Sequence, residues 1–157
     1  MSSPSRNLLP SPDEPVSVLL VNLAADDEAA LCQILAHPNW QLHGSASCKQ
    51  ALEYLRGHQV PIVVCAREQA DGNWQDLLNG AQELDLPSSL IVCSHLADEY
   101  LWAEVLNLGG CDVLAKPFED HEVLRAAYMA WQSWKRRRAE TVRRTRARAM
   151  QENAMRY

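Results

Sequence analysis

Several features are scarce in this chain of 157 residues, and each scarcity excludes a class of protein. No apolar run approaches the roughly 18–20 residues needed to span a bilayer. The first 15 residues contain four prolines and four serines and lack the basic-then-apolar pattern of a signal peptide. The sequence therefore predicts a soluble, cytoplasmic protein with no membrane contact, in which residues 1–14 form a flexible lead.

Cysteine pairs at metal-binding spacing are also missing. The five cysteines are odd in number and scattered, with no CxxC: Cys32, Cys48, Cys65, Cys93 and Cys111. This pattern favours neither a disulfide framework nor a zinc site. Several of these residues lie in apolar runs, where a thiol behaves as a small hydrophobe. We expect reduced core thiols and no metal.

Charge is distributed unevenly between two parts of the chain. Residues 1–134 hold 6 basic and 18 acidic residues, whereas residues 135–157 hold 9 basic and 2 acidic ones. Eight of these nine are assigned to a basic interaction tail: Lys135, Arg136, Arg137, Arg138, Arg143, Arg144, Arg146 and Arg148. An acidic body with a basic tail indicates an interaction arm or association between opposite charges.

Short apolar runs alternate with stretches of helical period through the body. The runs predict five strands, at Val16–Val21, Trp40–His43, Ile62–Cys65, Leu90–Cys93 and Asp112–Ala115. The two central runs, IVVC and LIVC, are apolar without alternation, as in strands covered on both faces. We predict an α/β domain over residues 15–134, a doubly wound, five-stranded parallel sheet of the flavodoxin-like (βα)5 type.

Capping residues place the intervening helices. Ser47 should cap the second helix, which should end at Gly57. The first helix should start near Asp26 as its N-cap and stop before Pro38. The others are predicted from about Trp74, over roughly 97–108, and from near Glu119. In such sheets the working site lies where the strands end, so the residues following each strand are the candidates.

The segment from Leu106 to Phe118, LNLGGCDVLAKPF, resembles the fourth-helix end, fifth strand and Lys-Pro-Phe turn of response-regulator receiver (CheY-like) domains. Ser94 stands at the Ser/Thr switch position of that family, and Asp71-Gly72 resembles the Asp-Gly that opens its third helix. The resemblance covers about residues 15–135. It implies a phosphoryl-accepting site at the strand ends, with Lys116 beside the acceptor and a cis peptide before Pro117.

The acidic residues that a phosphoryl-accepting site needs are missing from the positions of this sequence that match the family's site. Asn22 and Leu23 stand where an acid pair should hold Mg²⁺, and Ala66 stands at the acceptor position. A carboxylate must be the nucleophile, and Mg²⁺ takes several oxygen ligands. The sequence therefore predicts a degenerate pseudo-receiver that is not an enzyme, has no catalytic residues and binds Mg²⁺ weakly or not at all.

One alternative keeps the chemistry at a rearranged site. Asp26 or Asp27 could combine with Glu68 or Asp71, although the first pair also suits a helix N-terminus. Without an acceptor aspartate, Lys116 is expected to pair with Glu68 or Asp71 or to face solvent. Ser94 is expected to keep a local hydrogen bond.

The resemblance also implies a docking or dimer surface on the fourth helix, fifth strand and fifth helix. The residues assigned to it are Tyr100, Leu101, Glu104, Val105, Tyr128 and Trp131. The predicted function is that of a stand-alone interaction module in bacterial two-component signalling, with signalling proteins or a second copy as partners. No output domain is expected.

Three interpretations of the tail remain open. The fifth helix could run into residues 135–157, since no Pro or Gly follows Glu119, but its apolar stripe fades after Trp134 and does not predict a coiled coil. The tail could be a solvated helix, could dock on an acidic surface, or could bind nucleic acid through phosphate contacts. The acidic body makes the nucleic-acid interpretation the weakest of the three.

Overall fold

The computed structural model describes residues 15–68 and 73–155, and the predicted lead at residues 1–14 lies outside them. Five strands and five helices alternate along the described chain. The strands are β1 Val16–Val21, β2 Trp40–Ser45, β3 Ile62–Ala66, β4 Ser89–Ser94 and β5 Asp112–Ala115. The helices are α1 Ala25–Ile34, α2 Cys48–Gly57, α3 Trp74–Gln82, α4 Glu99–Asn107 and α5 Asp120–Met155. The predicted fold class is confirmed.

The strands form one parallel sheet in the order β2-β1-β3-β4-β5. Successive residues of β1 face opposite layers: Leu20 packs into the cluster beneath α1 and α5, whereas Leu19 packs beneath α2, α3 and α4. Every residue of β3 and β4 is buried. This is why their sequences are continuously apolar. No helix in the described ranges is both long and apolar enough to cross a membrane.

Helix boundaries follow the capping side chains, with one correction. The side chains of Ser47, Asn73 and Asp98 each accept a hydrogen bond from a backbone N–H of the helix that follows. The prediction that Asp26 caps α1 is wrong. Ala24 occupies the N-cap position in extended conformation, and Asp26 lies inside the first turn, where its charge favours the N-terminal end of the helix.

Helix α5 has two unlike parts. In residues 120–138, the inner half, the apolar side chains pack against the sheet. Trp131 and Trp134, near the end of this half, are buried. Residues 139–155, the outer half, are exposed at every position. At 1.5 Å per residue the outer half extends the helix by about 25 Å. It carries Arg143, Arg144, Arg146 and Arg148.

Candidate functional site

The carboxyl ends of β1, β3, β4 and β5 meet at one edge of the sheet, where the sequence predicts the site. Backbone hydrogen bonds hold the ends in register: the amide of Arg67 donates to the carbonyl of Cys93 at 2.9 Å, and the amide of Lys116 donates to the carbonyl of Ser94 at 3.1 Å. Asn22 follows β1 with a positive φ of 51°, a conformation that asparagine tolerates better than most residues. Ala66 ends β3 and is buried.

Lys116 forms an ion pair that the sequence did not predict. Its Nζ lies 2.7 Å from Oδ2 of Asp27, which sits in the first turn of α1. The two side chains are only 8% and 20% exposed. The expectation that Lys116 pairs with Glu68 or faces solvent is therefore wrong; Asp71, the other predicted partner, lies outside the described residues. As the resemblance implies, the Lys116–Pro117 peptide is cis.

The protonation of Lys116 reflects this pairing. Burial, the largest single influence, would lower the pKa of the ammonium group, but the hydrogen bond to Asp27 and the through-space attractions around it together outweigh burial, and the pKa is raised. Glu68 adds a weaker attraction through space. Lys116 is therefore a charged group whose main partner is a carboxylate from a neighbouring helix.

The hydroxyl of Ser94 and the thiols of Cys93 and Cys65 are buried at this edge of the sheet. Ser94 is buried, and its hydroxyl accepts a hydrogen bond from the amide of Leu96 at 3.1 Å. Cys93 donates from its thiol to the carbonyl of Cys65 at 3.4 Å, and burial raises the pKa of Cys93 to about 12. The pKa of Cys65 is raised by burial as well. These thiols are neutral at physiological pH and are poor nucleophiles.

Among the described residues, the side chains at the positions that match the family's acid pair and acceptor do not fit a magnesium ion. Leu23 and Ala66 carry no side-chain oxygen, Asn22 offers one neutral amide, and the carboxylate of Asp27 is engaged by Lys116. Magnesium needs near-octahedral oxygen coordination, usually with one or two carboxylates. Nor do three His, Cys, Asp or Glu side chains converge anywhere in residues 15–68 or 73–155.

The surface made by α4, β5 and α5 differs from the one predicted. Leu101, Val105 and Trp131 are buried, because they lie on the stripes of α4 and α5 that face the sheet. Tyr100 is exposed, as its assignment required. Glu104 and Tyr128 are half-buried, and the Glu104 carboxylate accepts a hydrogen bond from the side chain of Gln75.

Other residues of these helices form an exposed apolar patch. Trp102, Leu106 and Met129 are 46%, 40% and 51% exposed. A shallow groove of about 460 Å³ runs along α4 over Trp102 and Leu106, with Asp98 and Glu99 at its acidic end. In the sequence, the four-residue spacing of Trp102 and Leu106 is the signal that both side chains lie on one face of α4.

The opposite edge of the sheet holds a second part-buried cation. Arg137, assigned to the tail by charge, donates to the hydroxyl of Ser89 at 2.8 Å, the carbonyl of Pro87 at 3.1 Å and the hydroxyl of Ser133 at 2.8 Å. Burial lowers its pKa from the ordinary value. Nearby, Lys135 lies over the ring of Trp131 and Arg138 over that of Trp134, at 4.2 and 4.9 Å from the ring centres. The start of the basic tail therefore belongs to the packed body.

Comparison with known proteins matches this architecture to one domain type. The "Chemotaxis protein CheY" of Thermotoga maritima is 26% identical over 110 residues, which make up 69% of this chain and 92% of that protein. A signal receiver domain of an HD domain-containing protein from Pseudomonas fluorescens Pf-5 superposes with a TM-score of 0.72 at 25% identity, covering 83% of this chain and 97% of that one. The chain has the receiver fold and is similar in sequence to receiver domains of the response-regulator type.

The likeness in fold extends further than the likeness in sequence. The chemotaxis response regulator CheY4 of Vibrio cholerae is only 12% identical to this chain, yet superposes with a TM-score of 0.66 over 74% of this chain and 98% of that one. No protein-family model matches the chain. The receiver fold is thus shared even where the sequence identity is low.

Proposed function

We propose that this receiver domain acts as a phosphorylation-independent protein-interaction module in two-component signalling. In this proposal it is cytoplasmic, has no enzymatic activity and needs no cofactor. The observation that carries it is the ion pair between Lys116 and Asp27 at a strand edge where Ala66 stands at the acceptor position. A lysine that already pairs with a carboxylate must give up that partner before it can bind an entering phosphoryl group.

The apolar patch on α4 and α5 supports the interaction role. Trp102, Leu106 and Met129 leave a contiguous apolar surface open to solvent. Exposed aromatic and aliphatic side chains with polar groups at the rim are typical of binding surfaces. We take this patch as the surface through which the domain meets signalling proteins or a second copy.

Phosphorylation-independence is tested by intact mass after incubation with acetyl phosphate and Mg²⁺. In parallel, beryllofluoride is added with Mg²⁺ while tryptophan fluorescence is recorded, because half-exposed Trp102 on α4 reports changes in that helix. We expect no added mass and no saturable fluorescence change. A receiver domain that retains its acceptor aspartate is the positive control for both assays.

A single phosphoryl addition that requires Mg²⁺ would contradict the proposal and support the rearranged site. Asp27→Asn and Asp26→Asn would then identify the acceptor, since the two neighbours differ in their contact with Lys116. Glu68→Gln and Asp71→Asn complete the set.

A further inference from the structure

Two surfaces of this domain have complementary character. The first is the exposed stripe of α4, in which Glu99, Trp102, Ala103 and Leu106 recur at helical spacing and share one face. The second is the outer half of α5, in which Ala139, Arg143, Arg146 and Met150 share one face in the same way. One surface is apolar with acidic groups at one end, and the other is basic with small apolar residues among its arginines.

Among the described residues, the arginines in the outer half of α5 form no ion pair with the body of the molecule. The 17 residues of this half are all exposed. Because the helix extends about 25 Å beyond the packed region, most of it lies farther from the acidic body than the Debye length of about 8 Å at physiological salt. The attraction between tail and body therefore remains available to another molecule.

We infer that the outer half of α5 from one copy docks on the exposed stripe of α4 of a second copy, so that two molecules exchange their basic helices. This inference rests on the proposed function, because it takes the α4 patch as a docking surface, and it names the partner. A two-fold arrangement uses both contacts at once and closes the assembly as a dimer.

The contact chemistry has a precedent inside each molecule. Lys135 and Arg138 already lie over the rings of Trp131 and Trp134. Trp102, whose ring is half-exposed on the α4 stripe, can accept an arginine in the same manner, and Glu99 supplies the opposite charge beside it. Ala139 and Met150 are small or flexible enough to pack over Leu106. The inferred contact thus combines cation–π, charge and apolar contributions.

The test is a charge exchange measured by light scattering on the full chain. Variant T carries Arg143→Glu and Arg146→Glu, and variant F carries Glu99→Lys and Ala103→Lys, all at exposed positions. At low ionic strength we expect the wild type to have twice the mass of a 17.6 kDa chain, and each variant alone to be monomeric. Mixed in equal amounts, T and F should restore the dimer mass, because the acidic tail of T meets the basic α4 of F, while the tail of F and the α4 of T form the wild-type contact. High salt should dissociate the wild type.

A matched control reverses charge elsewhere. Glu83 and Asp85 are exposed on the loop after α3, so Glu83→Lys with Asp85→Lys should leave the dimer intact. A monomeric wild type at low salt, dimers of T or F alone, or failure of the mixture to associate would each overturn the inference. A monomer that instead binds duplex DNA with steep salt dependence would assign the tail to nucleic acid. None of these outcomes adds phosphoryl mass, so failure here remains distinguishable from failure of the proposed function.

Discussion

The two edges of the sheet each hold one part-buried cation, and they stabilise it in opposite ways. At the carboxyl edge Lys116 has a carboxylate partner, and its pKa is raised. At the amino edge Arg137 has neutral oxygen partners from two serines and a proline carbonyl, and burial lowers its pKa. The charge of Lys116 is therefore balanced by a carboxylate, whereas Arg137 keeps its positive charge unbalanced at the point where the basic helix leaves the body.

Removal of the Arg137 guanidinium should give the largest effect. Arg137→Met deletes three hydrogen bonds from a charged donor and leaves the carbonyl of Pro87 without this donor, so we expect a loss of about 2–3 kcal/mol in the free energy of unfolding. Chemical denaturation measures it. Arg136→Met is the matched control, since that neighbour is exposed and should change stability by less than about 0.5 kcal/mol. Equal losses of stability in the two variants would show that the buried hydrogen bonds of Arg137 stabilise the fold no more than an exposed arginine does.

Breaking the pair at the carboxyl edge should cost less, because Asp27 remains partly exposed. Asp27→Ala should lower the free energy of unfolding by about 1–2 kcal/mol, whereas Asp26→Ala, in the same helical turn but exposed, should lower it by about 0.5 kcal/mol or less. A double-mutant cycle with Lys116→Met isolates the coupling energy. A coupling energy near zero would show that the ion pair contributes nothing to stability.

The smallest effect is a pH dependence at the carboxyl edge alone. Because the folded-state pKa of Lys116 is raised, its contribution is complete below the unfolded-state pKa of about 10.4 and is lost as the pH rises through the folded-state value. The stability difference between wild type and Lys116→Met should therefore shrink above about pH 10.5. The difference between wild type and Arg137→Met should persist there, since arginine stays protonated. If the stability differences of Lys116→Met and Arg137→Met from the wild type both shrank with rising pH, the contrast between the two edges would be contradicted.

Much of the fold was predictable because periodicity and capping are local properties. Strands β1 and β5 have the predicted bounds, and Ser47 caps α2 as expected. The strand ends also placed Asn22 and Ala66 at the site edge correctly, since parallel strands bring their carboxyl ends together. The pairing of Lys116 with Asp27 was not predictable. Asp27 lies in the first turn of α1, and no rule of sequence spacing links it to position 116.

Three residues assigned to the docking surface, Leu101, Val105 and Trp131, are buried for a different physical reason. Helix α4 carries two apolar pairs at the same spacing, Leu101 with Val105 and Trp102 with Leu106. Helical period alone cannot decide which pair faces the sheet. The structure buries the first and exposes the second. In the same way, Arg136 and Arg137 are indistinguishable in a run of basic residues, although only the second is drawn into the body.

The engagement of Lys116 by α1 has a consequence for substitutions at position 66. An aspartate introduced at position 66 alone would bring a second carboxylate to an edge whose lysine already has one, and the acid pair at positions 22 and 23 would still be absent. Mutual repulsion would raise the pKa of one carboxyl group and weaken it as a nucleophile. Under the proposed function, Ala66→Asp alone is therefore not expected to create a phosphoryl acceptor, and several coordinated substitutions would be needed.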